Sequence, residues 1–337
     1  MRTEPPERDL MTTTGIDVSA ALRRAAVRAT RAPSVHNTQP WRFVLSDGRL
    51  EVRADWARRL RILDPTGRQL LLSCGCAVFN ARVALASEGL AADVDRYPDA
   101  ARPDLVAIID ATSESVDDAF ARLDAAIETR QSNRRSFDHE AVPEDVVATL
   151  VDAARAEGAE LFEVTRETDR RALARLSQRA DGIENAQPAY RAELRRWTTD
   201  DPGRVDGVPA SAVPRIDEDS VDEVPIRDFD THASAELPAR TESSAQQCLL
   251  LLGTNADNAG AWIRAGEALE RVLLEITRQG YAASMFTQVI EVPSTRALLR
   301  AELGITMYPH ILIRVGRAQP IPPTRRRRLV DVIIDSA

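Results

Sequence analysis

Two stretches of this 337-residue chain carry side chains that could do chemistry. Asn133-Arg134-Arg135-Ser136 places two guanidiniums and a hydroxyl on adjacent residues, a set suited to hold a phosphate. By itself an Arg-Arg pair is more simply a solvated charged turn. The second stretch is Pro33-Ser34-Val35-His36-Asn37-Thr38-Gln39-Pro40-Trp41. It offers hydroxyl, imidazole and amide groups from Ser34, His36, Asn37 and Gln39, and its plainest reading is a helix-to-strand turn. Two weaker candidates lie near the C-terminus. Gly280-Tyr281-Ala282-Ala283-Ser284, continuing through Met285, Phe286 and Thr287, follows a long apolar helix, where glycine and small residues are a common cap. Thr324-Arg325-Arg326-Arg327-Arg328 is a basic run, which elsewhere can serve as a nucleic-acid or targeting patch.

Other chemistries lack their residues. There is no His-Glu-x-x-His, paired Cys-x-x-Cys or other metal spacing, no Gly-x-Gly-x-x-Gly after a strand and no Gly-x-Ser-x-Gly elbow. A Walker phosphate loop needs a lysine, and all 44 basic residues here are arginine. The net charge of −8 argues against a non-specific binder of nucleic acid or anionic membrane. No apolar run is expected to reach the roughly 20 residues that span a bilayer, and Met1 to Thr14 has no apolar signal core. An odd count of cysteines (Cys74, Cys76, Cys248) without framework spacing fits a reducing cytoplasm. Cys74-Gly75-Cys76 lies in a small-residue helical stretch and reads as core packing. His139 reads as exposed, His232 falls in an irregular stretch, and His310 begins a strand as a packing or surface residue.

The elements that must position these groups follow from periodicity. Residues 1–16 read as a frayed tail. Val18 to Ala32 has helical spacing, is capped by Asp17 or Ser19 and is ended by Pro33. A hairpin follows, Trp41 to Leu45 and Leu50 to Ala54 around Asp47-Gly48, then a long apolar helix Gln69 to Ser87 closed by Gly89, then a buried strand Leu105 to Asp110. The second half has helix Pro143 to Glu157, strand Glu160 to Thr165, helix Asp169 to Asp181 and strand Gln247 to Gly253. A helix from Ala261 to Gln279, capped by Asp257 or Asn258, and a late strand Tyr308 to Val315 complete it. Ala21 to Ala32 with Pro33-Ser34 aligns with Val147 to Glu157 with Gly158-Ala159. Ala81 to Glu88 with Gly89-Leu90-Ala91-Ala92 aligns with Leu273 to Gln279 with Gly280-Tyr281-Ala282-Ala283. Duplication of a domain is the reading. Residues 198–240 break the pattern with five prolines and many acids, a lid over the site or a plain surface excursion.

The stretches Pro33 to Trp41 and Asn133-Arg134-Arg135-Ser136-Phe137 each resemble a flavin-contacting segment of the nitroreductase family of FMN enzymes. In that family the Arg-Arg-Ser segment precedes the Pro-Ser…Asn…Gln-Pro-Trp segment, the members are usually dimers, and each FMN takes one segment from each subunit. The order is reversed here. The resemblance therefore implies that both halves of a dimer are fused in one chain, as in the long Acg-like actinobacterial branch. The fold it implies is α+β and nitroreductase-like, with two tandem degenerate halves at 17–127 and 128–337 forming an intramolecular pseudo-dimer and a lid insertion at 198–240.

The same resemblance assigns Arg134, Arg135 and Ser136 to the FMN phosphate and Pro33, Ser34, Val35, His36, Asn37 and Gln39 to the flavin. It lays Ser284, Met285, Phe286 and Thr287 along the ring and brings Arg326 and Arg327 back to the phosphate on a C-terminal arm. The partner segments of a second site are missing near residues 1–32 and 157–161, so one FMN per chain is expected. The implied activity is hydride transfer from NAD(P)H through the flavin to a nitro or quinone-type acceptor, with no side chain obliged to act as acid or base. The alternative is an FMN storage protein with a lid-closed site and little nitroreductase activity.

Overall fold

The computed structural model describes residues 15–46, 48–134, 137–138, 140–199, 201, 203–209, 212 and 247–335. Helix α1 (Val18–Ala29) starts at Asp17, whose carboxylate accepts the Ala20 N–H, and buries Ala21, Leu22, Ala25, Ala26 and Ala29 along one face. Strands β1 (Trp41–Ser46) and β2 (Arg49–Ala54) form the expected antiparallel hairpin. Helix α2 (Arg68–Ser87) follows, closed by Gly89 at φ 77°, then β3 (Ala91–Arg96) and β4 (Leu105–Thr112). Two short helices, α3 (Asp118–Ala121) and α4 (Asp124–Thr129), lead to the second half.

There, α5 (Glu144–Ala156), β5 (Glu160–Glu163), α6 (Glu167–Asn185) and α7 (Pro188–Trp197) come first. Strand β6 (Cys248–Thr254) and helix α8 (Ala259–Arg278) follow, with Asn258 accepting the Ala261 N–H as the cap. Strand β7 (Ala282–Phe286), α9 (Gln288–Glu291), α10 (Pro293–Leu303), β8 (Tyr308–Gly316) and β9 (Ile333–Asp335) end the chain.

The duplication is visible in the topology. One sheet has the order β3-β4-β2-β1-β9 and the other β5-β6-β8-β7. Read from opposite ends, β3-β4-β2-β1 matches β7-β8-β6-β5 strand for strand in chain order, and every one of these pairs is antiparallel. Each half runs helix, two strands, helix, two strands; α6, α7, α9 and α10 are insertions in the second. Strand β9 is the exception. It leaves the second half and adds to β1 in parallel, Phe43 beside Ile333.

The halves share one core. A single apolar cluster includes Leu22, Trp41 and Leu72 from the first half and Leu150, Leu252, Leu269 and Ile313 from the second. At its centre α2 and α8 cross at Gly75 and Gly266, the eighth residue of each 20-residue helix. A Cβ on Gly75 would collide with the Ile263 carbonyl, and one on Gly266 with the Leu72 carbonyl. The Cys74 thiol donates to Pro40 O at 3.3 Å and the Cys76 thiol to Gly266 O at 3.2 Å. Burial pushes both thiols far up, so they pack rather than react.

One expectation needs correction, and one strand had no counterpart in the sequence reading. Helix α2 is long and apolar enough to cross a membrane, because the short-range apolar runs join through small residues; almost all of it is buried in the fold. Gly280 to Thr287 is not only a cap: Ala282–Phe286 is a strand whose ladder lies against β8.

Adding a methyl at the crossing forces backbone apart on both sides. Gly75→Ala and Gly266→Ala should each lose about 3 kcal/mol or more, read from urea unfolding. A loss under about 1 kcal/mol would show that the helices can separate freely.

Candidate functional site

The turn after α1 is shaped by backbone that L-residues rarely adopt. His36, Asn37 and Gln39 have φ of 47°, 53° and 49°. Two side-chain hydroxyls hold it. Ser34 Oγ accepts the Gln39 N–H at 2.9 Å, and Ser73 Oγ of α2 accepts the Val35 N–H at 3.3 Å. The result faces Ser34, Val35 and His36 toward one cavity while Asn37 reaches a second.

The first cavity is a cleft partly open to solvent. Its walls are Val35 and His36 of the turn, Gln69, Leu72, Ser73 and Cys76 of α2, Leu269 of α8, Ser284 to Gln288, and Ile311. It is largely apolar, yet two of its buried amides, Gln69 Nε2 and Gln288 Nε2, have no hydrogen-bond partner. The second cavity is lined by Asn37, Arg130 to Ser132, Gly207, Val208, Ile321, Pro322, Thr324 and Arg326. Pro33, Ser34 and Arg134 line both, so the two adjoin.

Segment 130–134 reaches this place by running beside β7. Ser132 bridges Ala283 in parallel, the Asn133 N–H donates to Ala283 O at 2.8 Å, and Asn133 Nδ2 donates to Gln319 O at 2.9 Å. Just past it, Phe137 is buried with the Arg314 guanidinium 4.2 Å over its ring. Among the described residues, three arginines thus border the second cavity: Arg130, Arg134 and Arg326. Arg326 donates to Thr30 O and Arg31 O, both at 3.1 Å, at the carbonyl end of α1, and to Thr324 Oγ1 at 2.6 Å. Burial, with Arg130 and Arg31 nearby, pulls it down to about 9. Arg130 is buried, and its Nε and Nη1 have no hydrogen-bond partner.

The structure brings most of the expected residues together, from both halves. Pro33, Ser34, Val35, His36, Ser284, Met285, Phe286 and Thr287 line the first cavity, Asn37 and Arg326 the second, and Arg134 both. Arg135, Ser136 and His139 lie outside the described residues, as does most of the stretch 198–240, His232 included. Arg327 and Gln39 line neither cavity. An extended run sends successive side chains to opposite sides, so Arg327 turns from the arginine cluster to the first half. Its guanidinium donates to Gln39 O at 3.1 Å and Trp41 O at 3.3 Å. Gln39 is a clamp: its Oε1 accepts the Arg327 N–H at 2.7 Å and its Nε2 donates to Val205 O at 2.8 Å.

The described part of the irregular stretch sits on the same turn. Asn37 Nδ2 donates to Gly207 O at 3.1 Å, and Arg58 pairs with Asp206. Residues not singled out from sequence include Arg130, Gln69 and Gln288; the available signal was a glutamine or arginine set among buried positions. His310 is a packing residue, fully buried with Nε2 2.7 Å from Thr254 Oγ1, and burial pulls it down to about 3. Among the described residues no group of His, Cys, Asp and Glu could hold a metal.

No protein-family model matches the chain. Curated relatives do. "Putative NAD(P)H nitroreductase Rv3131" of Mycobacterium tuberculosis is 37% identical over 93% of this chain and 90% of its own length. "Putative NAD(P)H nitroreductase acg" of the same species is 32% identical over 96% of this chain and 97% of its own. Similar solved structures include a nitroreductase with bound FMN from Bacteroides fragilis, 14% identical over 61% of this chain and 93% of that one, with a TM-score of 0.37. The extent of the mycobacterial matches places this chain in the nitroreductase family, in the branch of the Acg-like proteins.

Gln39→Ala removes, among its side-chain bonds, the two part-buried ones to Val205 and Arg327, worth about 1 kcal/mol each. Trypsin should then cut after Arg204 and within Arg325 to Arg328 roughly 10- to 30-fold faster than in the wild type. Unchanged cleavage would mean that Gln39 does not hold the arm.

Proposed function

We propose that this chain binds one FMN across its two halves and acts as an NAD(P)H-linked oxidoreductase of the nitroreductase type. The observation that carries the reading is the pair of adjoining cavities, one apolar with two unpartnered buried amides and one bordered by three arginines. A flat heterocycle with a carbonyl edge needs an apolar slot and a few donors, and Gln69 and Gln288 supply such donors. A phosphate needs forked cationic donors; Arg130 Nη1 has no hydrogen-bond partner, and its Nε has only the Glu270 carboxylate 3.5 Å away. When bound, FMN would supply hydride exchange between NAD(P)H and a nitro or quinone-type acceptor. The chain's own part is to bind, orient and desolvate. Met285 to Gln288 and the Pro33 to His36 turn shape the slot, while Arg134, with Arg135 and Ser136 expected beside it, grips the phosphate.

In this reading the two halves, near 17–127 and 128–337, stand for the two subunits of a dimer. The relatives' names support an NAD(P)H-linked nitroreductase activity. Storage of FMN is the second reading, favoured by one observation: residues 203–209 are tied to Asn37 and Gln39, and Gly207 and Val208 form a wall of the second cavity.

The purified protein should be yellow. Arg130→Ala and Arg134→Ala should each weaken FMN binding about 10- to 100-fold, the worth of a charged hydrogen bond, measured by flavin-fluorescence titration. Full retention in both variants would remove the phosphate assignment. Mixing the holoprotein anaerobically with NADPH or NADH decides between the readings. Bleaching within seconds supports the oxidoreductase, and flavin that stays oxidised for an hour supports storage.

A further inference from the structure

A carboxylate next to the arginine-lined cavity has no part in the reading above. Glu270, on α8, is fully buried, and neither of its oxygens has a hydrogen-bond partner. Arg130 Nε lies 3.5 Å from Glu270 Oε1. The groups that face it come from three other elements: Arg130 from the segment after α4, Asn80 and the Cys76 thiol from α2, and the Arg326 guanidinium from the C-terminal arm. Asn80 is fully buried too, and its amide faces Glu270 closely enough to lower it, though outside good hydrogen-bond geometry. Glu270 and Arg130 therefore make fewer hydrogen bonds than they can, beside a cavity that Arg130 and Arg326 line, whereas Arg326 already donates from all three of its guanidinium nitrogens.

A buried carboxylate is costly as an anion unless it is paired. Burial pushes Glu270 up to about 7, against the lowering effects of Arg130, Asn80 and Arg326. A phosphate dianion entering the second cavity would engage the same two guanidiniums. Two anions then compete for one pair of cations, and the carboxylate is the one that can relieve the repulsion by taking a proton from solvent.

We propose that Glu270 is a positioning residue for the phosphate end of the site: it holds Arg130 beside the cavity, and it takes up a proton when a phosphate dianion engages Arg130 and Arg326. This rests on the FMN reading. A group that binds its proton more tightly in the complex makes binding take up protons, so FMN affinity falls as pH rises. The fall begins near pH 7, where free Glu270 starts to ionise, and is at most about tenfold per pH unit. The phosphate's own second ionisation, near pH 6, favours binding as pH rises and is nearly complete below this window.

The test is an FMN titration of the flavin-stripped full chain from pH 6.5 to 8.5, with proton uptake followed by an indicator dye in weak buffer. The expected result is a Kd that weakens about three- to fivefold between pH 7 and pH 8, with net proton uptake on binding. Glu270→Gln should bind FMN with a nearly flat profile, and Glu270→Asp should restore the slope. If Glu270→Gln does not fold, proton uptake by the wild type decides. A flat wild-type profile without uptake, or an unchanged slope in Glu270→Gln, overturns the proposal. Failure to bind FMN at any pH overturns the functional reading and this inference with it.

Discussion

The structure depends on how closely α2 and α8 can approach. With no side chain at Gly75 or Gly266, the backbone of each helix meets the carbonyls of the other, and that contact joins the two halves into one core. The first cavity lies against this crossing. Leu72 and Cys76 from α2 face the first from one side and Leu269 from α8 from another, while Glu270, one residue further along α8, faces the arginine cluster. Wider spacing of the helices would move the walls of the slot apart and pull Arg130 from its counter-charge. The crossing is thus a constraint on the site as well as on stability.

A second constraint is the turn between α1 and β1. Three non-glycine residues at positive φ are costly, of order 1–3 kcal/mol each, and they persist because the surroundings fix them. Ser34, Ser73 and the Gln39 clamp do so from within, and β9 does so from outside by pinning the arm to β1. The arm brings Arg326 to the end of α1, where three successive carbonyls, Thr30, Arg31 and Ala32, receive its guanidinium. Strain, arm and cationic pocket form one mutually dependent unit, assembled from residues almost 300 positions apart.

Much of the fold was legible because its signals are local. Asp17 and Asn258 cap as their types suggest, and Gly89, Gly158 and Gly280 end their helices at φ of 77°, 73° and 78°. The hairpin follows from its alternation, and the approximate repeat from patterns that return in order. Nothing local marks β9, whose three residues become a strand only against β1, or α7, whose face is mostly polar and borrows its apolar contacts from Leu60 and Leu63. The turn and the Arg134 segment were legible as candidates, since their residue types suit anion and amide chemistry. The register of Arg325 to Arg328 was not, because four identical residues carry no phase. Extended backbone decides it: Arg326 faces the cluster, Arg327 the turn, and Arg328 pairs with Asp331. Arg130 and Glu270 were invisible as a pair because only the crossing of α8 beside α4 brings them together.

The central claim is a single phosphate-gripping flavin site shared by two fused halves. Fluorescence titration of the flavin-stripped chain with FMN, alongside riboflavin, tests it most directly. The account predicts saturation at one FMN per chain and riboflavin bound roughly 100-fold or more weakly, because the arginines have nothing to hold. Saturation at two FMN per chain, or equal affinity for the two flavins, would contradict it.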